Sequence, residues 1–118
     1  MNTNIQYTTR NDRHYSADTA KAIATIIAEQ IGGNRFVAMT GATLSCTLAG
    51  ELKIALPARM SRHNITLVQV RLDVSDTYTM IFRRLRRGAM EDVETVMGVY
   101  CDQLQEVFTD ITGLATHL

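Results

Sequence analysis

The sequence predicts an α+β domain in which an antiparallel meander sheet of five or six strands is flanked by an N-terminal and a C-terminal helix. Apolar residues recur at helical spacing near both ends of the chain, and segments rich in β-branched and aromatic residues lie between them. The short connections favour antiparallel neighbours, because parallel strands need a crossover of a dozen or more residues. The 118 residues suit one domain, which we assign to 16–118, after a flexible polar arm at 1–15.

The first helix is predicted over residues 16–31. Ser16 or Asp18 can cap its first turn, and Gly32 and Gly33 end it, because glycine adopts the left-handed conformation without a Cβ penalty. Its apolar face is formed by Ala20, Ile23, Ala24, Ile27 and Ile31. The last helix is predicted over 100–112 and ends at Gly113.

The strands are predicted from alternation, from β-branched and aromatic residues, and from the turns that separate them. The predicted segments are 34–40, 44–48, 52–56, 64–72, 77–85 and 91–99. The pair 64–72 and 77–85 is the clearest hairpin, because 73–76 has the composition of a turn. Residues 86–88 are interpreted as a loop. The segment 91–99 is interpreted as a strand, although the spacing of Val93, Val96 and Met97 also fits a helix.

Charge is unevenly distributed along a chain whose net charge is zero. Residues 59–87 contain seven arginines and two aspartates, a net charge of +5, whereas residues 89–118 contain six acids and no lysine or arginine, a net charge of −6. The arginines are candidate binding residues for a partner or a phosphate. They are Arg59, Arg62, Arg71, Arg83, Arg84, Arg86 and Arg87. Asp102, Glu106 and Asp110 form an acidic face of the last helix.

Three parts of the chain carry a resemblance to known proteins. Residues 32–42 (GGNRFVAMTGA), the hairpin from 70–72 to 78–80, and the C-terminal segments 98–104 (GVYCDQL) and 108–114 (FTDITGL) resemble small uncharacterised proteins of phages and mobile elements. The resemblance covers roughly 16–118 and departs at 43–48 and 89–90. It implies a phage or prophage setting and a bacterial cytoplasm. Because these proteins share no agreed activity, it assigns no catalytic or binding residue.

The chain lacks the signatures of the commonest catalytic and cofactor sites. No GxGxxG or GxxxxGK[ST] motif occurs, and His14, His63 and His117 are isolated from one another, with no HExxH or CxxC motif. Cys46 and Cys101 are expected to be small buried residues rather than nucleophiles. We therefore expect no enzyme activity, no cofactor and no metal site. No apolar run is long enough for a transmembrane helix, so no membrane partner is expected.

These observations favour a cytoplasmic, non-enzymatic protein that binds a host or phage protein. The phage setting makes a component of host defence or replication a plausible target. The alternative is nucleic-acid binding, in which Arg71 and residues 83–87 hold phosphates while Tyr78 or Phe82 stacks on bases. A plainer interpretation is that the arginines pair with the acidic last helix of the same molecule. A homodimer would form by pairing the arginine hairpin with the acidic helix of a second copy, or by pairing open sheet edges.

Replacing Ile27 by aspartate tests the first helix. Burying an isoleucine side chain contributes about 1.5–3 kcal/mol, so Ile27→Asp is expected to unfold the domain. Thermal melting is the measurement, and a melting curve like that of the parent would contradict the assignment of Ile27 to the buried face.

Overall fold

The computed structural model describes residues 15–116 and shows three α-helices and five strands. The predicted arm, apart from Tyr15, lies outside the described residues. The helices are α1 (Ala17–Gln30), α2 (Gly33–Thr40) and α3 (Leu104–Thr112). The strands are β1 (Thr43–Cys46), β2 (Leu52–Ala55), β3 (Leu67–Leu72), β4 (Tyr78–Arg86) and β5 (Ala89–Val99). Short 3₁₀ turns occupy Arg62–Asn64 and Cys101–Gln103. The strands pair antiparallel in the order β1-β2-β3-β4-β5, which confirms the predicted meander.

Helix α1 forms where the apolar spacing predicted it. The Ser16 hydroxyl accepts a hydrogen bond from the Thr19 backbone N–H at 3.2 Å and so caps the first turn. Ala20, Ala24 and Ile27 are buried along one side of the helix, and Ile31 continues that side beyond its end. Buried residues at the same helical spacing form one side of α3 near the C-terminus, and Gly113 ends this helix with a φ of 77°.

The prediction of a strand at 34–40 is wrong, because this segment is helix α2. Phe36 and Thr40 are its buried residues and Ala38 between them is exposed, which fits one face of a helix, whereas a strand would place all three on the same side. The ring of Phe36 packs edge-on against Phe108 of α3, with 4.9 Å between ring centroids and 69° between ring planes. Gly41 ends the helix with a φ of 72°, which favours glycine. The sheet therefore has five strands, the smaller of the two predicted numbers.

Strand β5 resolves the ambiguity between helix and strand at 91–99. It pairs with β4 along its length, but the register shifts twice, so that β5 advances an extra residue at each bulge. The bulges direct Val93, Val96 and Val99 towards the core although they are spaced by three residues. Gly98, with a φ of 71°, lies in one bulge. A helix-like apolar spacing is therefore accommodated in a bulged strand.

The structure also shortens the predicted loop at 86–88, since Arg86 pairs with Ala89 and only Arg87 and Gly88 form the turn.

The core lies on one face of the sheet. All three helices contribute buried residues to a single apolar cluster with alternate residues of the strands. The strand residues of this cluster are Leu52, Ile54, Val68, Val70, Tyr78, Met80, Phe82 and Val99. The intervening residues form the opposite face, which no described helix covers and which we call the outer face. Lys53, Gln69, Ile81 and Thr95 are aligned across it by the register of the strands.

Tyr78 joins the sheet to α1, because its hydroxyl donates a hydrogen bond to Gln30 Oε1 at 2.6 Å. Burial raises the pKa of Tyr78, and the charges of Cys101 and Asp76 raise it further, while the hydrogen bond to Gln30 lowers it. Below the ordinary tyrosine pKa of 10.0 the phenol is neutral in both folded and unfolded chains. Above it, the unfolded chain loses the proton first, so stability falls as pH rises.

Replacing Tyr78 by phenylalanine is expected to cost about 0.5–1.5 kcal/mol at pH 7, because the hydrogen bond to Gln30 is lost. Above about pH 10 the parent should lose stability more steeply than Tyr78→Phe, which has no phenol to titrate at this position. Urea unfolding of both proteins between pH 7 and pH 11 measures this difference. Parallel stability curves over that range would contradict the raised pKa of Tyr78.

Candidate functional site

Arg83 belongs to a chain of hydrogen bonds that crosses the outer face. Its Nε donates to Asp92 Oδ1 at 2.8 Å and its Nη1 donates to Gln69 Oε1 at 2.9 Å. Gln69 Nε2 in turn donates to Glu51 Oε1 at 2.5 Å. The four side chains come from β5, β4, β3 and the residue before β2. Because Nε and Nη1 of Arg83 each have an acceptor and Gln69 is itself held by Glu51, the arginine is held in one orientation.

Arg71 is held by a second cluster on the outer face. Its Nε lies 3.2 Å from Asp73 Oδ1, and Thr79 donates its hydroxyl proton to the other carboxylate oxygen at 2.5 Å. The side chains of Arg71 and Asp73 are both largely buried. Register pairs Arg71 with Thr79 across β3 and β4, which brings the turn residue Asp73 back over the strands. A partly buried pair of this kind is screened less by salt than an exposed one.

Arg84 and Arg86 both face Glu91 across the β4–β5 hairpin. Arg84 Nη2 lies 2.6 Å from Glu91 Oε1, whereas Arg86 Nη1 lies 3.9 Å from it. Arg84 Nη1 also donates to the backbone oxygen of His63 at 3.4 Å. The register of the hairpin explains these pairs, since Arg84 is opposite Glu91.

The remaining candidate arginines lie in loops. Arg62 Nη1 donates to the backbone oxygen of Asp110 at 2.8 Å, at the C-terminal end of α3 where a positive charge is favourable. Arg62 and Arg84 line a cleft of about 390 Å³ together with acidic side chains of β5 and α3. Within residues 15–116, Arg59 and Arg87 form no ion pair. The structure thus divides six of the seven arginines among the outer face, the hairpin and this cleft, and Arg59 lies apart in the loop between β2 and β3.

The predicted start of the last helix at residue 100 is wrong, because α3 begins at Leu104 and Asp102 lies in the preceding 3₁₀ turn, whereas Glu106 and Asp110 lie on the helix. These acids do not neutralise the arginines. Asp102, Glu106 and Asp110 are exposed, and none of them forms an ion pair with any other residue between 15 and 116. The arginines of the hairpin pair instead with Asp92 and Glu91 of β5. Adjacent strands bring these charges together at 2.6–2.8 Å, and helix α3 contacts β5 rather than β4. Within residues 15–116 of one molecule, the interpretation that the arginines pair with the acidic last helix is therefore wrong.

Two exposed apolar residues extend the outer face to the tip of the β4–β5 hairpin. Leu85 and Met90 are directly opposite each other and remain 56% and 47% exposed. Further along β4 the same face carries Ile81, which its neighbours bury. The sequence analysis did not select these residues as functional. Alternate positions of β4 could have indicated this surface, because alternation places apolar and charged residues on a common face. These positions are Thr79, Ile81, Arg83 and Leu85.

Both cysteines are exposed, so the expectation that they are buried is wrong. Cys46 lies at the end of the edge strand β1, where it lines the groove between β1 and the helices and stays exposed, and Cys101 lies in the 3₁₀ turn before α3. Among residues 15–116, no three His, Cys, Asp or Glu side chains are grouped so that they would hold a metal ion. No helix in the same part of the chain is long and apolar enough to cross a membrane.

No protein-family model matches the chain, and no curated protein or solved structure matches it either. The segments that carry the resemblance to phage proteins lie in α2, in the β3–β4 hairpin and in the C-terminal part. Two of them meet in the core, where Phe36 contacts Phe108. Phe36 and Phe108, one from each of two of these segments, thus contribute to packing.

Replacing single arginines by methionine tests the organisation of the outer face. Arg83→Met removes two hydrogen bonds and leaves Gln69 and Asp92 without that partner, so we expect a loss of about 1–2 kcal/mol. Arg86→Met removes only the exposed 3.9 Å contact with Glu91 and should cost less than about 0.5 kcal/mol. Urea unfolding at low ionic strength compares the two matched variants. Equal losses would contradict a built hydrogen-bonded network around Arg83.

Proposed function

We propose that this protein is a non-enzymatic accessory protein of a phage or mobile element that acts in the bacterial cytoplasm by binding another protein. The binding surface is the outer face of the sheet, extended by the tip of the β4–β5 hairpin. One observation carries the proposal: no helix among residues 15–116 covers this face, yet its polar side chains form a hydrogen-bonded network around an apolar centre. A surface that only meets water has no need of such an arrangement.

The chemistry of the outer face supports a protein partner. Interfaces are enriched in arginine and depleted of lysine, and their energetic centres combine apolar anchors with desolvated polar groups. Arg71 and Arg83 are already held in place by Asp73, Asp92 and Gln69. Binding would therefore lose less side-chain entropy than it would with free arginines. Leu85 and Met90 supply exposed apolar area beside them.

The arrangement of charges makes nucleic acid the weaker candidate. Arg71, Arg83 and Arg84 have carboxylate partners at 2.6–3.2 Å, so a phosphate would have to displace them. A chain with no net charge also lacks the basic surface that most nucleic-acid-binding domains present. The resemblance to phage proteins suggests a host defence or replication component as the target. The resemblance is the basis for the phage setting of the proposal, whereas the residues of the outer face are the basis for the binding surface.

A paired substitution tests this surface. Leu85→Glu with Met90→Lys replaces the apolar pair at the hairpin tip by an ion pair in the same register and leaves net charge unchanged. The control, Ile26→Glu with Met60→Lys, makes the same chemical change at side chains that are 53% and 59% exposed but lie on α1 and in the loop before β3. Each protein is immobilised in bacterial lysate at low salt, and retained proteins are quantified by mass spectrometry with and without nuclease.

We expect the parent and the control variant to retain the same host protein and the hairpin variant to lose at least about 90% of it, in keeping with a loss of roughly 1.4 kcal/mol or more. Retention should survive nuclease treatment. Equal retention by the hairpin variant, or no retained protein at all, contradicts the proposal. Retention that nuclease abolishes supports the nucleic-acid alternative instead.

A further inference from the structure

The two edges of the sheet differ in how they resist pairing. Strand β5 forms one edge, and it carries Glu91, Asp92 and Glu94 together with two bulges, which are common devices against edge-to-edge association. Strand β1 forms the other edge with the sequence Thr-Leu-Ser-Cys, which contains no charge and no proline, and its pairing with β2 has no bulge. Only its shortness limits pairing. Within residues 15–116, β1 is therefore the less protected of the two edges.

The register of β1 shows which of its backbone groups face outward. Thr47 donates its N–H to the backbone oxygen of Glu51 at 3.0 Å, so Thr47 directs its backbone towards β2. Alternation along an antiparallel pair then directs the backbone groups of Ser45 and Thr43 towards β2 and those of Cys46 and Leu44 away from it. The next residue of the outward set, Leu48, accepts a hydrogen bond from the Tyr15 N–H at 2.9 Å. Because Tyr15 already occupies the Leu48 carbonyl, the edge that an added antiparallel strand would use is β1 itself, through the backbone groups of Leu44 and Cys46.

A groove of about 460 Å³ lies beside this edge, between α1, α2 and β1. Its apolar lining includes Ala24, Val37 and Leu44. Two charged residues of α1, Lys21 and Glu29, border it. They are eight residues apart, which separates them by roughly 12 Å along the helix axis and leaves them on the same side. Neither forms an ion pair with another residue of the described chain.

We propose that a second copy of this chain occupies the β1 edge and the groove beside it. Antiparallel pairing of β1 with the same strand of a second copy would place a two-fold axis at the edge and produce a continuous sheet of ten strands. The axis sets the two α1 helices antiparallel, so the Lys21 end of each helix lies beside the Glu29 end of the other. Opposite charges at the two ends of one face are self-complementary, as a two-fold interface requires.

This charge arrangement favours a second copy of the chain over a strand from another protein as the occupant of the β1 edge. A two-fold axis duplicates every contact, so a surface carrying one sign of charge would repel its own copy, whereas Lys21 and Glu29 attract theirs. The grooves of the two copies also open at the same edge and would close against each other. The dimer leaves the outer face free on both copies, so this inference stands independently of the proposed function.

Charge reversal at Lys21 and Glu29 tests the dimer. In Lys21→Glu and in Glu29→Lys, each of the two symmetric attractions becomes a repulsion, and we expect the dimer Kd to rise roughly tenfold or more. The double variant, with both residues exchanged, restores opposite charges across the axis and should return the Kd to within about threefold of the parent. The control is Glu106→Lys, an exposed reversal on α3, which should leave the Kd unchanged. Sedimentation equilibrium over a range of protein concentrations gives the Kd of each.

Hydrogen exchange distinguishes this dimer from association through another surface. Amide exchange in β1 (Thr43–Cys46) should slow as protein concentration rises, and the slowing should disappear in Lys21→Glu. Exchange in β5 should not depend on concentration. A chain that stays monomeric at millimolar concentration overturns the proposal, as do concentration-dependent protection only outside β1 and a double variant as weak as the single ones. A monomer whose β1 amides are protected only after lysate is added indicates a foreign strand at this edge, and it overturns the proposal equally.

Discussion

Burial of the sheet on one side is the constraint on which the rest of this structure depends. The helical layer that covers this side is joined by the edge-on contact of Phe36 with Phe108, which links α2 to α3. Neither helix is longer than nine residues, so neither would be stable alone in water. Their stability comes from the apolar faces that they bury together against the strands.

The outer face follows from this one-sided burial. No helix among residues 15–116 covers this face, and its polar side chains form hydrogen bonds with one another across the strands. The charge separation along the chain disappears here, because the β4–β5 hairpin places the arginine-rich strand beside the acidic one. The acids of α3 have no such neighbour within residues 15–116 and stay exposed. Charges that are separated along the sequence are thus paired between β4 and β5, and the surface of this hairpin is locally neutral and ordered.

The two edges of the sheet are protected against pairing to different degrees. The long edge β5 is bent by bulges and lined by acids, whereas the short edge β1 is neutral and lies beside a groove. Gly98 permits one of those bulges, and the bulges are also what directs three evenly spaced valines into the core. One local device therefore serves both packing and the avoidance of unwanted pairing.

The sequence by itself determined the elements whose periodicity is long or strongly marked. The helical spacing of α1 and α3, the alternation of β3 and β4, and the turn between them sufficed for the α+β class and the antiparallel order. Tertiary structure decided the rest. The seven residues 34–40 fit the periodicity of a strand or of a helix, and packing of Phe36 against Phe108 favours the helix. The arginines were recognisable as charged, but their partners depend on strand register, which joins Arg84 to Glu91 and Arg83 to Asp92 only once the hairpin has formed.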